Sequence, residues 1–199
     1  MNRRLQKIDY LGGGILLGII VTVLFFYGKG LDLEGSVTLP QNVDVCFTPP
    51  QGCLNKITQR IDKAKTSILI QAYSFTSKDI ERALLRAHER GVAIEVIVDR
   101  GQKTAKGSII HSLVQAGIRV SFDSINGIAH NKVMILDQET VITGSFNFSN
   151  AANTRNAENL LIIKDKPLAA LYENNWKKRQ SKALPYYSSS TLDYYATSM

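Results

Sequence analysis

Residues 67–98 read SILIQAYSFTSKDIERALLRAHERGVAIEVIV. The run Ser67–Tyr73 is strand-like. Ser77 or Lys78 then opens a segment through Arg90 in which Ile80, Ala83, Leu84 and Ala87 recur at helical spacing, and Gly91 stops it. Val92–Val98 is a second strand, ending at Asp99. The loop 100–107 is basic and flanked by glycines, a helix spans about Ser108 to Ala116, Gly117 stops it, and Ile118–Phe122 forms another short strand. Alternation of this kind predicts an α/β layered fold.

Upstream, Leu54–Lys65 reads as an amphipathic helix carrying Leu54, Ile57 and Ile61. Downstream the character changes. Lys132–Leu136 and Thr140–Thr143 read as strands joined by a tight Asp137-Gln138-Glu139 turn, and Glu158–Lys164 as a further strand. Pro167 to about Lys182 is a closing helix with Leu168, Leu171, Tyr172 and Trp176. The last residues, 184–199, are Ser/Tyr-rich and carry one charge, which predicts a disordered tail.

The N-terminus reads as an address. Tyr10 to Gly28 gives 19 consecutive uncharged residues, about 28 Å as a helix, enough to span a hydrocarbon core. Arg3, Arg4 and Lys7 precede it, so the positive-inside rule puts the rest of the chain across the membrane. Residues 1–28 are therefore expected to be a membrane anchor, with a cleaved signal and secretion as the alternative, although an A-x-A-like cleavage site is lacking. Gly14 and Gly18 form a G-x-x-x-G within the span, a weak dimerisation signal. Residues 29–42 read as a linker and 43–183 as the catalytic domain.

The chain of 199 residues carries 24 Lys+Arg against 17 Asp+Glu, net +7. Residues 1–35 hold 4 basic and 3 acidic side chains, which leaves 20 − 14 = +6 on the remainder. The basic balance belongs to the domain, and favours nucleic acid or an acidic membrane surface. Two cysteines exclude a disulfide-dense scaffold, and no Cys/His cluster has zinc-finger spacing. In an exported domain Cys46 and Cys53 form a local disulfide; facing a cytosol they are two thiols.

The chemistry is concentrated in His130-Asn-Lys132-Val-Met-Ile-Leu-Asp137. With period two, His130 and Lys132 project from one face of a strand, while Val133 and Ile135 enter the core. An imidazole nucleophile beside an ammonium suits attack on an anionic phosphodiester. Ser145 and Asn147 again share a face, with Phe146 and Phe148 turned away, and Gly144 would let backbone approach a ligand. Glu158 could accept a hydrogen bond from a histidine and fix its tautomer.

H-x-K-x-x-x-x-D followed by G-S-x-N-F-S and then N-x-E resembles the phospholipase D superfamily. His130, Lys132, Asp137, Gly144, Ser145, Asn147, Asn156 and Glu158 stand at matching positions. The resemblance runs over about residues 44–180, and is strongest to the small bacterial Nuc-type endonucleases with one motif per chain. The mitochondrial cardiolipin hydrolase/Zucchini group is similar at greater distance. The resemblance implies a mixed β-sheet layered between helices, here preceded by one transmembrane helix, and metal-independent hydrolysis with no cofactor. It also implies two motif histidines: one attacks phosphorus to form a phosphohistidine, the other protonates the leaving oxygen and then activates water. His88 and His111 lack the K-x-x-x-x-D context and lie on predicted helices, so the second histidine is expected to be His130 of another copy, in a homodimer.

In that scheme Lys132 and Asn147 hold the phosphate, Ser145 assists, and Glu158 orients histidine. Asp137, though part of the motif, reads as a turn or dimer-interface anchor. Lys103 and Lys106 follow a strand end, where binding residues collect, and are candidates for substrate contact or simply a solvated basic turn. The expected activity is a nuclease of low sequence specificity on DNA and perhaps RNA, tethered to a bacterial inner membrane with its domain periplasmic. The alternative is a phospholipase acting on cardiolipin or another anionic lipid, although no extended apolar lid is visible in the sequence. A tethered nucleic-acid-binding module without turnover is a third reading.

Overall fold

The computed structural model describes residues 40–50 and 52–187. In chain order the elements are β1 (Val43–Thr48), α1 (Cys53–Lys63), β2 (Ser67–Ala72), α2 (Lys78–Glu89), β3 (Ala93–Val98), a 3-10 turn (Arg100–Lys103), α3 (Ile110–Gln115), β4 (Arg119–Phe122), β5 (Lys132–Leu136), β6 (Thr140–Gly144), α4 (Asn150–Thr154), β7 (Glu158–Lys164), α5 (Lys166–Gln180) and β8 (Leu184–Pro185). The strands form one sheet ordered β1-β7-β6-β5-β2-β3-β4-β8. β2, β3 and β4 run parallel, joined by crossover helices, and the remaining pairings are antiparallel.

The sheet is covered on both faces. On one side α1, α2 and α3 bury Leu54, Ile57, Ile61, Ile80, Leu84 and Leu113 against Ile68, Ile70, Val96, Met134 and Ile142. On the other, Ala169 and Trp176 of α5 cover Ile97, Val133, Ile135 and Val141. The Trp176 indole N–H donates to the Ile70 carbonyl at 3.0 Å, satisfying the one polar atom of that buried ring. β5 is therefore buried along its whole length. Val133 and Ile135 enter the core as expected, and Met134 and Leu136 fill the larger core on the face that Lys132 shares.

Local chemistry sets the boundaries. Ser77 caps α2 by accepting the Ile80 N–H, and Gly91 and Gly117 end α2 and α3 at φ +85° and +88°, a region open to glycine. α3 begins at Ile110 rather than Ser108, with Ile109 as the residue that precedes it and the Ile109 N–H donating to the Phe75 carbonyl at 3.0 Å. The short α4 is not evident in the sequence; Ser149 caps it by accepting the Ala152 N–H.

Residues 184–187, expected in a disordered tail, belong to the sheet edge instead. Pro185 pairs with Ser121, Leu184 with Phe122, and the Tyr186 ring lies 5.2 Å from Phe122. The edge of β4 leaves backbone groups that any extended segment can satisfy, and composition does not disclose this. The expected span Tyr10–Gly28, most of the linker and residues 188–199 lie outside the described residues. Among the described residues no helix is long and apolar enough to cross a membrane.

Two fastenings act at a distance from the chemistry. A Cys46–Cys53 disulfide, Cα–Cα 5.6 Å, ties β1 to the start of α1. At the β5–β6 turn Asp137 and Gln138 both take positive φ, 52° and 57°, as a primed turn requires. The Asp137 carboxylate accepts the backbone N–H groups of Lys65, Thr66 and Ser67 and the Thr66 hydroxyl, at 2.7–3.1 Å. Burial works to raise its pKa, but those donors outweigh it and hold the carboxyl below its ordinary value.

Replacing both cysteines by serine should cost about 2.5 kcal/mol, the loop entropy released in the unfolded chain, and lower the thermal midpoint by roughly 5–10 °C. Asp137→Asn should lower stability at neutral pH. Because the folded carboxyl titrates below the unfolded one, its contribution is complete above the ordinary carboxylate range and lost as pH falls through the depressed value. Denaturation midpoints of wild type and Asp137→Asn should thus converge below about pH 4, and a gap that stays constant into acid would contradict this role.

Candidate active site

The site lies at one end of the central strands, where β2 and β3 finish and β5 begins. Antiparallel pairing sets Ala72, the last residue of β2, opposite Lys132, the first of β5. One residue further on, the Tyr73 N–H donates to the Asn131 carbonyl at 2.9 Å. The chain bends at Tyr73. Its ring centroid lies 4.5 Å from that of His130 at 58°, and the Lys132 ammonium lies 5.1 Å from the same centroid. Lys132 Nζ also donates to the His130 carbonyl at 2.7 Å. His130 is exposed, whereas Lys132 is only 7% exposed.

The loop that brings the chain to His130 is pinned from beneath by two carboxylates. Asp99 Oδ2 accepts the Ala129 N–H at 2.8 Å, and Asp123 Oδ1 accepts the Ile125 N–H at 2.9 Å. Asp123 is itself buried and ion-paired to Arg179 of α5. Asp99 and Asp123 stand at or next to strand ends, and that position is the only sequence signal for their role. Between the two pins, Ile125 and Ile128 are exposed, Ile128 at 60%.

The other side of the site is built from β6 and β7. Gly144 has φ +148°, and a Cβ there would stand 2.3 Å from the Asn159 carbonyl oxygen. That oxygen accepts the N–H groups of Ser145 and Phe146 at 3.1 and 3.3 Å. The glycine thus admits the neighbouring strand rather than a ligand. Ser145 Oγ donates to Glu158 Oε2 at 2.6 Å and accepts the Asn159 N–H at 3.1 Å. Asn156 Nδ2 donates to Glu158 Oε1 at 2.9 Å. Ser145 has one proton and the carboxylate takes it, so the side chain positions Glu158 and has none left for a phosphate.

Phe146 and Phe148 are fully buried, as their alternation with Ser145 and Asn147 implies. Asn147 Oδ1 is buried with no hydrogen-bond partner among the described residues. An amide so placed can turn its NH₂ toward an anion. Burial pushes the Lys132 ammonium below the ordinary lysine value, and the Glu158 carboxylate opposes that shift. Glu158 makes no hydrogen bond to His130 within the described residues, but each carboxylate oxygen keeps a second acceptor site.

His130, Lys132, Ser145 and Glu158 are thus linked at one end of β5, β6 and β7, and Asn147 follows Ser145 by two residues. Lys103 and Lys106 are exposed in the loop after β3, at the same end of the central strands. Asp137 is not part of the group. It lies at the far end of β5, which corrects its place among the reacting residues and agrees with a turn anchor. Tyr73 ends a strand-like run and lies within the span of the family resemblance, but neither its position nor the motif assigns it a role.

Comparison with known proteins agrees with this geometry. Residues 57–179 match the family described as "Cardiolipin synthase, PLD-like domain". The chain is 48% identical over 182 residues to "Phospholipase D" of Rickettsia typhi, covering 84% of this chain and 89% of that one. It is 32% identical to the mitochondrial cardiolipin hydrolase of Canis lupus familiaris, over 78% of this chain and 65% of the relative. Among solved structures, the phospholipase D family member Nuc from Salmonella typhimurium superposes with a TM-score of 0.70 at 39% identity, over 73% of this chain and 98% of that one. With the motif histidine and lysine at the start of β5 and Glu158 facing that lysine, the chain belongs to the phospholipase D superfamily, as a hydrolase of the phosphodiesterase type.

Proposed function

We propose that the protein hydrolyses nucleic acid through a phosphohistidine, without a metal, at a site completed by a second copy of the chain. The observation that carries the substrate reading is the openness of the site. His130 lies exposed at the end of the central strands, which Lys103 and Lys106 border, and residues 36–199 are net +6. A polyanion can lie across that end of the strands with its backbone phosphates near both lysines, and the binding would be salt-sensitive and tolerant of sequence.

In the first step a neutral His130 nitrogen attacks phosphorus. The bond to the leaving oxygen breaks, and that oxygen takes a proton from the protonated His130 of the second copy. In the second step the now neutral imidazole removes a proton from water, which attacks the phosphohistidine and frees His130 and a phosphate monoester. Lys132, with Asn147, offsets the charge that builds on the phosphoryl oxygens. Glu158, held by Ser145 and Asn156, keeps acceptor sites for the N–H of a histidine. The N-terminal apolar run supports a tether to a bacterial inner membrane, with the domain on the periplasmic side.

A second reading is a phospholipase on an anionic lipid such as cardiolipin. Exposed Ile125 and Ile128, immediately before His130, favour it, because apolar side chains beside a reacting group suit a lipid surface.

The deciding experiment offers the full chain, in EDTA, labelled single- and double-stranded DNA, RNA and cardiolipin vesicles in parallel. Nucleic acid should be cut, more slowly as salt rises, and His130→Asn should abolish the cutting. Phosphatidic acid release with intact nucleic acid would select the lipid reading, and recovery only on adding Mg²⁺ would overturn the mechanism. Fully active monomer by sedimentation would sink the shared site. Lys132→Ala should lower kcat/KM about 100-fold or more. In the wild type the alkaline limb of kcat/KM should lie below the ordinary lysine value, since burial favours loss of the Lys132 proton; a limb at or above that value would exclude the lysine as its source.

A further inference from the structure

A nucleophile must be held in line with the bond it attacks, and misplacement by about 1 Å can cost on the order of 100-fold in rate. His130 is poorly supplied with the usual means of holding it. It is exposed, it precedes β5 rather than lying within it, and its imidazole makes no hydrogen bond among the described residues. Glu158, the carboxylate expected to orient a histidine, is bonded to Ser145 and Asn156 in this chain. What does touch the imidazole is the Tyr73 ring.

We infer that Tyr73 is a positioning residue for the hydrolysis, a wall that sets the His130 imidazole and the Lys132 ammonium toward one phosphate. The inference rests on the phosphohistidine reading of His130. Three observations support it. The ring is within contact of the imidazole at 4.5 Å, in a tilted arrangement that aromatic pairs favour. The Lys132 ammonium lies 5.1 Å from the same centroid, inside the ~6 Å range of cation–π attraction. Tyr73 is also fixed to the segment it serves, because its N–H bonds the carbonyl of Asn131, the residue between His130 and Lys132.

The bend at Tyr73 explains how the ring reaches them. Strict alternation after Ala72 would turn the next side chain to the opposite face of the sheet from Lys132. Leaving the strand at Tyr73 while keeping the hydrogen bond to Asn131 retains the register but frees the ring to turn inward. Among the described residues the Tyr73 hydroxyl makes no hydrogen bond, so the ring rather than the hydroxyl does the positioning. Lys132 keeps its bond to the His130 carbonyl without Tyr73, so loss of the ring should disturb the chemical step more than phosphate binding.

The test compares Tyr73→Phe and Tyr73→Leu in the full chain, with His130→Asn alongside on the same substrate. Tyr73→Phe should stay within about 3-fold of wild type, and Tyr73→Leu should lose roughly 10- to 100-fold in kcat with KM changed less than about 3-fold. Equal losses in Phe and Leu, or an unchanged kcat in Leu, would overturn the inference. A readout independent of activity and of any variant is the proton spectrum of the wild type in detergent micelles. Cross-relaxation between Tyr73 ring protons and His130 imidazole protons is expected, and its absence overturns the contact itself. Persistent activity in His130→Asn would instead bring down the site reading, and the positioning role with it.

Discussion

The antiparallel pairing of β5 with β2 is the constraint on which the site depends. It joins the parallel half of the sheet to the antiparallel half, and it sets Lys132 opposite Ala72. A slip of one residue would reverse every side chain of β5, moving Lys132 to the α5 side and Met134 and Leu136 out of the larger core. The register is fastened at both ends. At one end Tyr73 bonds Asn131; at the other Asp137 gathers the N–H groups that lead into β2. The motif's aspartate and histidine are thus seven residues apart along an extended segment, roughly 23 Å, and cannot meet one phosphate. In the proposed mechanism one end reacts, and the other keeps the first end in register.

Charge in the site is arranged with little surplus. Lys132 gives up most of its hydration, and its neighbours compensate through the His130 carbonyl, the Tyr73 face and the Glu158 carboxylate. Glu158 is held by Ser145 and Asn156, and Ser145 by Asn159, so the carboxylate's position traces back to the β6–β7 contact that Gly144 makes possible. A buried ammonium with a fixed counter-charge is poised to receive a phosphoryl group, because the ligand's charge replaces the water that the lysine lost.

Much of this was legible in the sequence, for identifiable reasons. Helical spacing and glycine stops disclosed α2 and the strands about it, because the apolar period there reflects burial on one face. The spacing of His130 and Lys132, and of Ser145 and Asn147, disclosed which groups lie at one end of the strands. Three things were not legible. β8 is paired through backbone atoms, which the Ser/Tyr-rich composition of 184–199 hides. The proton of Ser145 is committed to Glu158, a fact about orientation that spacing cannot carry. Tyr73 reads as one more strand residue, because a bend that preserves register leaves no mark on the pattern of apolar residues.

Substrate choice is separable from this machinery. On the proposed mechanism the atoms that face phosphorus are the same whether the diester joins nucleosides or a lipid headgroup, so His130, Lys132 and Asn147 would discriminate little between them. Discrimination must come from what surrounds the diester, and the rim presents two kinds of surface. Lys103 and Lys106 expose charge, and Ile125 and Ile128 expose apolar area immediately before His130. Asp99 and Asp123 pin the backbone of the apolar side at Ala129 and Ile125. Covering side chains on a loop that is already pinned costs little ordering entropy, so the two sides of the rim can favour different diesters without any change in the residues about His130.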